Sequence, residues 1–236
     1  MLPLILCIVF ICLGAISLTL FLLEKTKRYS LKAVFLKTTT SLFFIATAAV
    51  SLILKGYHCL AVFVPFGLFL GLLGDIWLDL KYVYREHDVP YTYAGFISFG
   101  LGHIVYMSGL LLEFYHGESV LYIIIPFAVG LLLSFGNLFM EKPMKLKYGQ
   151  MKPIAFVYGF ILFSMTLSAL SLSILHAFTN TTLIMFFIGG LLFAISDLIL
   201  SGTYFGEGKE RPIDITTNGI TYYAAQFIIA FSLFFL

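Results

Sequence analysis

The sequence predicts an all-α protein, a polytopic transmembrane helical bundle of about eight helices. Hydrophobic residues make up 61% of the 236-residue chain and charged residues only 11%, whereas soluble domains carry about 25% charged residues. The mean hydropathy is correspondingly high, at +1.02. Eight apolar stretches of about 20 residues, the length that spans ~30 Å of hydrocarbon, follow one another along the chain.

The eight predicted helices occupy the whole chain, and we interpret residues 1–236 as one integral-membrane domain. Several stretches are apolar on all sides and do not alternate with a period of two, which argues against a β-barrel. The first stretch has no basic residues before it and is too long for a signal-peptide core, so we predict a retained helix. The predicted helices are 2–23, 33–54, 60–80, 92–112, 120–140, 153–175, 182–203 and 217–236.

The connections between these helices predict their orientation. Twelve of the fourteen lysines and arginines lie in the connections 24–32, 81–91, 141–152 and 204–216, while the intervening connections contain only Lys55. Because basic connections remain in the cytoplasm, both termini of this multi-pass protein are expected to be extracytoplasmic. The net charge of +2 and the absence of a basic stripe do not indicate a nucleic-acid partner.

The three cysteines are scattered through apolar segments. Cys7, Cys12 and Cys59 show no C-x-x-C spacing, so neither a disulfide framework nor a cysteine metal site is indicated. We expect these cysteines to be reduced and buried. The sequence predicts no metal and no cofactor.

Two acidic residues are the strongest indication of function. Asp75 and Asp197 lie inside long apolar segments with no basic residue near them in sequence. A carboxylate in hydrocarbon costs about 2.5–3.5 kcal/mol even on lenient scales, so such residues mark a polar interior. The predicted orientation places them about five and six residues from the cytoplasmic ends of helices 3 and 7, roughly 7 Å deep for the first. We therefore predict a polar chamber in the cytoplasmic half of the bundle.

Further polar residues lie at or near this level, and each also has a purely structural explanation. Lys37 and Asp79 are close enough to helix ends to extend toward the membrane surface. His103 lies nearer the midplane, where a single histidine is as often a packing residue as a functional one. Tyr222 has the character of an interface aromatic, and Gln226 lies one turn after it.

The two acidic segments also resemble each other. The runs LLGDIWL and FAISDLIL share a small residue, an aspartate and a leucine three positions later. His103 follows Asp75 by 28 residues, and Gln226 follows Asp197 by 29. This weak similarity suggests a parallel duplication of helices 1–4 and 5–8.

Four runs in the order LLGD, FGLGHIVYM, GGLLFAISDLIL and YYAAQFII resemble the YhhN family of lysoplasmalogenase-like proteins. The similarity covers essentially the whole chain and includes Lys37, which is followed by small polar residues. It implies a bundle of about eight helices that hydrolyses the vinyl ether bond of lysoplasmalogens. The expected products are a fatty aldehyde and glycerophosphocholine or glycerophosphoethanolamine. The resemblance also places Asp75 and Asp197 at the positions of the family's catalytic acids.

The chemistry of a vinyl ether agrees with two acids. Protonation of its β-carbon gives an oxocarbenium ion that water captures, which requires one acid and one base. Two carboxyls in one site of low dielectric cannot both ionise cheaply, so we expect one to keep its proton and act as acid and the other to act as base. We assign Asp197 as the donor and Asp75 as the base, although the sequence does not decide this order. Lys37 is expected to keep one acid ionised or to meet the substrate phosphate. The supporting residues would be Asp79, His103, Tyr222 and Gln226, and the expected partners are a lysophospholipid substrate and membrane lipids.

Three other interpretations remain open at this point. A proton-coupled transporter or channel also uses intramembrane acids, although it requires polar residues that continue to the other membrane face. A lipid-binding membrane protein would use the acids for structure alone. A zinc hydrolase would combine His103 with Asp75 and Asp197, but zinc prefers more nitrogen or sulfur ligands.

Overall fold

A computed structural model of the chain describes residues 1–27, 30–53, 55–206 and 211–236. In this part of the chain the protein is all-α, with eight helices long and apolar enough to cross a membrane, which confirms the predicted fold class. Arg28 and Lys209, which contribute to the predicted orientation, lie outside the described residues. The helices are α1 (Leu2–Lys25), α2 (Leu31–Ser51), α3 (Leu60–Val83), α4 (Asp88–Phe114), α5 (Leu121–Phe139), α6 (Lys152–Leu175), α7 (Thr181–Phe205) and α8 (Pro212–Ser232).

Several helices extend past the apolar stretch that predicts them. Helix α8 begins at Pro212, five residues before the predicted start, because proline is well suited to the first helical position. Helix α1 continues to Lys25, and α3 continues to Val83. A span predicted from hydropathy ends at its first charged residues. The helix itself can continue through them, because its backbone hydrogen bonds persist where the charged side chains are paired. Asp79 therefore lies inside α3 and not at its end.

The helices pack mainly as consecutive pairs. Helix α1 packs on α2, α3 on α4, α5 on α6 and α7 on α8, while α2 also contacts α3 and α6 contacts α7. The bundle is closed by contacts of α4 with α6 and of α2 with α8. These main contacts correspond when α1–α4 are exchanged with α5–α8, but the contacts of α8 with α1 and α3 have no equally extensive counterpart between α4 and α5 or α7. The correspondence of the main contacts agrees with the duplication suggested by the two acidic segments.

Glycines allow the closest helix contacts. A Cβ atom at Gly67 of α3 would lie 2.3 Å from the Tyr106 ring of α4, and one at Gly102 would lie 3.1 Å from the Gly67 carbonyl oxygen. At Gly130 of α5, an added Cβ would lie 2.9 Å from the backbone nitrogen of Ser164 on α6. Small residues at such positions are typical of helix packing inside membranes.

The outer surface of the bundle is apolar, as expected for contact with lipid. Large side chains such as Phe35, Leu132 and Phe139 are exposed, whereas the interior buries residues from all parts of the chain. All three cysteines are free, but only Cys7 is buried. The expectation of burial is wrong for Cys12, because its apolar neighbours face outward on α1.

Candidate active site

A cavity of about 90 Å³ lies in one half of the helix bundle. All eight helices contribute to its wall, and both Asp75 and Asp197 line it. The lining residues come from the carboxyl-terminal halves of α1, α3, α5 and α7 and from the amino-terminal halves of α2, α4, α6 and α8. These halves adjoin the connections that carry the basic residues. The cavity is therefore confined to one side of the bundle.

The two acids lie at a common depth along their helices. Asp75 precedes Val83, the last residue of α3, by eight residues, and Asp197 precedes Phe205, the last residue of α7, by the same number. At a rise of 1.5 Å per residue, each acid lies about 12 Å from the end of its helix. Both are deeper than the five to six residues predicted, because α3 and α7 are longer than the apolar stretches.

Asp75 is a buried carboxyl that accepts contacts from three donors. The Lys37 ammonium lies 3.2 Å from Oδ1, and Ser41 Oγ donates to Oδ2 at 2.6 Å. Tyr222 Oη donates to the same oxygen at 2.7 Å. The side chain is only 1% exposed. A buried charge is tolerated when it is paired and hydrogen-bonded in this way, so the site is suited to a carboxylate.

Asp79 and Lys25 extend this charged cluster. Asp79 Oδ1 lies 2.7 Å from the Lys25 ammonium and 3.4 Å from that of Lys37. Asp79 is buried, and the side chains of both lysines are only 12% exposed. The structural alternative for Asp79 and Lys37, an extension toward the membrane surface, is therefore wrong. The cause is the longer α1, which brings Lys25 to the carboxylate.

Hydroxyl and amide groups behind the cavity wall support Tyr222. Gln226 Nε2 donates to Tyr222 Oη at 3.2 Å, and Gln226 Oε1 accepts from Tyr106 Oη at 3.3 Å. Gln226 and Tyr106 lie behind the cavity wall, which Tyr222 itself lines. Tyr222 is buried and not an interface aromatic. Tyr106 was not predicted as a site residue, because it lies in an apolar run of α4.

Asp197 has a different environment. It accepts a short hydrogen bond from Tyr158 Oη, and no basic side chain among the described residues forms an ion pair with it. Tyr158 was not among the predicted site residues. Its position in the sequence could have indicated this role. Tyr158 lies six residues into α6 from a basic connection, close to the depth of the two acids.

His103 lies behind Tyr158 and is fully enclosed. Its Nε2 is 3.5 Å from Tyr158 Oη, and its ring meets Phe193 edge to face at a centroid distance of 4.6 Å. Within the described residues, Nδ1 has no hydrogen-bond partner. His103 is not part of the cavity wall. Its position supports Tyr158 and gives it no direct access to a molecule in the cavity.

A sequence model of the YhhN family matches residues 32–233. The chain belongs to the YhhN family. No curated protein and no solved structure matches it. The matched range contains every residue of the site described above except Lys25, which precedes it.

The two acids of this YhhN protein share a cavity but not their partners. Asp75 and Asp79 are balanced by Lys25 and Lys37, so these four side chains carry no net charge when all are ionised. Among the described residues, the Tyr158 hydroxyl is the only hydrogen-bond partner of the Asp197 carboxyl. The cavity thus contains one carboxylate beside a lysine ammonium and one carboxyl beside a neutral hydroxyl. Such a pair can provide an acid and a base to a molecule between them.

A metal centre is not formed by the described part of the YhhN chain. No group of three or more histidine, cysteine, aspartate or glutamate side chains is placed there to bind a metal ion. His103 contacts neither Asp75 nor Asp197. The zinc hydrolase interpretation therefore has no support from the geometry.

Proposed function

We propose that this YhhN protein is a lysoplasmalogenase, a membrane hydrolase that cleaves the vinyl ether bond of 1-alkenyl-glycerophosphocholine or 1-alkenyl-glycerophosphoethanolamine. The products are a fatty aldehyde and the glycerophospho-alcohol. One observation carries the proposal: Asp75 and Asp197 line the same cavity, and Asp75 is paired with a lysine whereas Asp197 accepts from a neutral hydroxyl. The resemblance in sequence and the membership in the YhhN family support the same activity.

The first step of the proposed reaction is proton transfer from Asp197. Its carboxyl has no cationic partner in the described structure, so it is the acid that keeps a proton. The proton moves to the β-carbon of the vinyl ether, and the double-bond electrons form the new C–H bond. The positive charge is shared between the α-carbon and the ether oxygen. Tyr158 keeps the Asp197 carboxyl in place during this step.

The second step uses Asp75 as the base. Its carboxylate, fixed by Lys37, Ser41 and Tyr222, accepts a proton from a water molecule as that water attacks the α-carbon. The resulting hemiacetal then collapses. The glycerol oxygen leaves with the proton from Asp75, the C=O bond forms, and the hydroxyl proton returns to Asp197. Both acids are restored, and the net reaction consumes one water.

The position of the cavity agrees with a single-chain lipid substrate. Lys25, the last residue of α1, lines the cavity at the helix end, where the phosphate of a lysolipid would lie, and Lys37 lies deeper, beside Asp75. The acids lie about 12 Å along the helices, below the headgroup level. The single alkenyl chain of the lysolipid can then extend along the apolar part of the cavity wall.

The confined cavity favours hydrolysis over transport. A transporter or channel needs polar groups that continue toward the second membrane face. The described lining residues belong to one half of every helix. A proton-coupled transporter is therefore the weaker candidate, and a lipid-binding protein without catalysis is distinguished by experiment.

The test uses purified protein in lipid nanodiscs with choline and ethanolamine lysoplasmalogens. Release of aldehyde is measured for the native chain, Asp75→Asn and Asp197→Asn. Each substitution is expected to reduce kcat about 100-fold or more, because general acid and base groups contribute about 10²–10⁴-fold. Glu86→Gln is the matched control, since Glu86 is exposed and outside the cavity.

A saturated ether analogue adds a chemical control. It has the same headgroup but no double bond to protonate, so it is expected to bind and to release no aldehyde. Aldehyde release that is unchanged in both aspartate variants would refute the acid-pair mechanism. Absence of aldehyde from the native chain with every lysoplasmalogen would refute the proposed activity.

A further inference from the structure

Part of the cavity wall is a continuous aromatic surface near the connection between α5 and α6. The rings of Tyr148 and Phe205 have centroids 4.7 Å apart, and Phe205 stacks on Phe96 at 6.4 Å. Phe96 in turn meets Tyr158 at 5.2 Å. All four rings line the cavity. The aromatic wall therefore runs from the α5–α6 connection to the tyrosine that binds Asp197.

Two buried polar atoms at this wall have no partner among the described residues. They are Tyr148 Oη and the side-chain oxygen of Asn137, and both residues line the cavity. Tyr148 is only 3% exposed. Asn137 and Ser201 both lie beside the Tyr148 hydroxyl, and the Ser201 hydroxyl donates to the Leu198 carbonyl at 2.8 Å, so its oxygen remains able to accept. A buried polar atom without a well-formed hydrogen bond costs about 1–3 kcal/mol, so a donor that completes these contacts would be stabilised at this wall.

This combination of aromatic rings and oxygen acceptors is suited to a cation. Ammonium groups bind over aromatic faces, and desolvated contacts of this kind are the strongest. The protein already contains such a contact nearby, because the Lys81 ammonium lies 3.5 Å from the centroid of Tyr204, which packs against Phe205. Charged residues close to this wall include Lys81, Glu141, which pairs with Lys152 at 2.6 Å, and Lys147, whose backbone N–H donates to the Phe205 carbonyl at 2.7 Å.

We propose that this aromatic wall, formed by Phe96, Tyr148, Tyr158 and Phe205 with Asn137 and Ser201, binds the ammonium end of a zwitterionic headgroup. The phosphate of the same headgroup then faces Lys25 and Lys37, which line the cavity from α1 and α2. The identification of the ligand as a lysolipid headgroup rests on the proposed function. Binding of an organic ammonium group to the wall does not.

The experiment compares two probes that have the same shape and differ in one atom. Phosphocholine carries a quaternary nitrogen, and 3,3-dimethylbutyl phosphate carries a carbon in its place. Binding to the purified full-length protein is measured by calorimetric titration at matched ionic strength. Phosphocholine is expected to bind about tenfold more tightly, because only it interacts with the ring faces electrostatically.

Two substitutions locate the interaction. Phe205→Leu is expected to remove most of the preference for phosphocholine, whereas Phe156→Leu retains it, because Phe156 packs on Phe135 outside the cavity. Tyr148→Phe keeps the ring and removes the hydroxyl. Tyr148→Phe is therefore expected to weaken the binding of phosphoethanolamine, whose ammonium donates hydrogen bonds, and to leave the affinity for phosphocholine unchanged.

The outcomes separate this inference from the proposed hydrolase activity. Equal binding of phosphocholine and its carbon analogue, or a preference that survives Phe205→Leu in a folded variant, overturns the ammonium site. A clear preference in a protein that releases no aldehyde supports the site and contradicts the hydrolase. Aldehyde release without any preference supports the hydrolase alone.

Discussion

Two lysines and two aspartates dominate the interior at the scale of single residues. Lys37 lies within 3.4 Å of both Asp75 and Asp79, Lys25 lies 2.7 Å from Asp79, and all four side chains are largely shielded from solvent. Loss of one partner from a buried ion pair is costly, because the remaining charge stays in a poorly solvating environment. The cluster therefore contributes to stability as well as to the electrostatics of the cavity.

Asp79→Asn is predicted to destabilise the protein. The substitution removes the carboxylate that lies 2.7 Å from Lys25, and the expected cost is about 3–5 kcal/mol. Thermal unfolding in detergent, followed by Trp77 fluorescence, measures the effect. A double variant, Lys25→Met with Asp79→Leu, leaves the Lys37–Asp75 pair balanced and is expected to recover most of the loss. An unchanged midpoint for Asp79→Asn would show that the pair is not formed.

Tyr158→Phe is predicted to reduce catalysis without loss of the fold. The substitution removes the hydroxyl that donates to Asp197. A hydrogen bond to an ionisable group contributes about 1.5–3 kcal/mol, so kcat is expected to fall about 10–100-fold while KM changes little. Tyr93→Phe is the control, because the Tyr93 hydroxyl donates to the Gln150 carbonyl away from the cavity. A change confined to KM would assign Tyr158 to substrate binding.

At the scale of elements, the contact between α5 and α6 depends on backbone proximity. Gly130 faces Ser164 so closely that an added Cβ would lie 2.9 Å from its backbone nitrogen and 3.1 Å from its Cα. Backbone atoms in a helix cannot move aside individually. Ser134, one turn later, donates to the Phe156 carbonyl at 2.6 Å and strengthens the same interface.

Gly130→Ala is predicted to separate α5 from α6 locally. The expected loss in the free energy of unfolding is about 1–3 kcal/mol, as for other overpacked interiors. Gly136→Ala on the same helix is the matched control, because its Cβ would meet no atom within 4 Å. That variant is expected to be neutral or slightly more stable, since alanine favours helix formation. Equal unfolding midpoints for the two variants would contradict the close contact.

At the scale of the whole molecule, the cavity and the basic connections lie on the same side. The lining residues occupy the helix halves next to connections that contain Lys27, Arg85, Lys142 and Arg211. The positive-inside rule then predicts that the cavity opens toward the cytoplasmic leaflet. This orientation decides which leaflet provides the substrate.

Cysteine labelling tests the orientation. In a variant without native cysteines, Ser119→Cys between α4 and α5 is predicted to react with an impermeant maleimide in intact cells. Lys142→Cys between α5 and α6 is predicted to react only after permeabilisation. Both positions are exposed in the structure. The reverse pattern would place the basic connections and the cavity mouth outside the cytoplasm.

Composition and hydropathy were sufficient to predict the helices, because a 20-residue apolar stretch has few alternatives to a transmembrane helix. Asp75 and Asp197 were predictable for the related reason that acids are rare in such stretches. Lys25 and Tyr158 were not. Lys25 follows an apolar run and was assigned to a connection, and a tyrosine in α6 has the same pattern as a packing residue. Their roles depend on which helices become neighbours, which hydropathy does not specify.

The restriction of the cavity to one half of the helices has a consequence for bioenergetics. Because the cavity lies in one half of the bundle, we predict that the two acids exchange protons with one aqueous compartment only. Their ionisation is then expected to follow the pH of that compartment and not the proton gradient across the bilayer. Such a protein can hold titratable groups deep in a membrane without conducting protons across it.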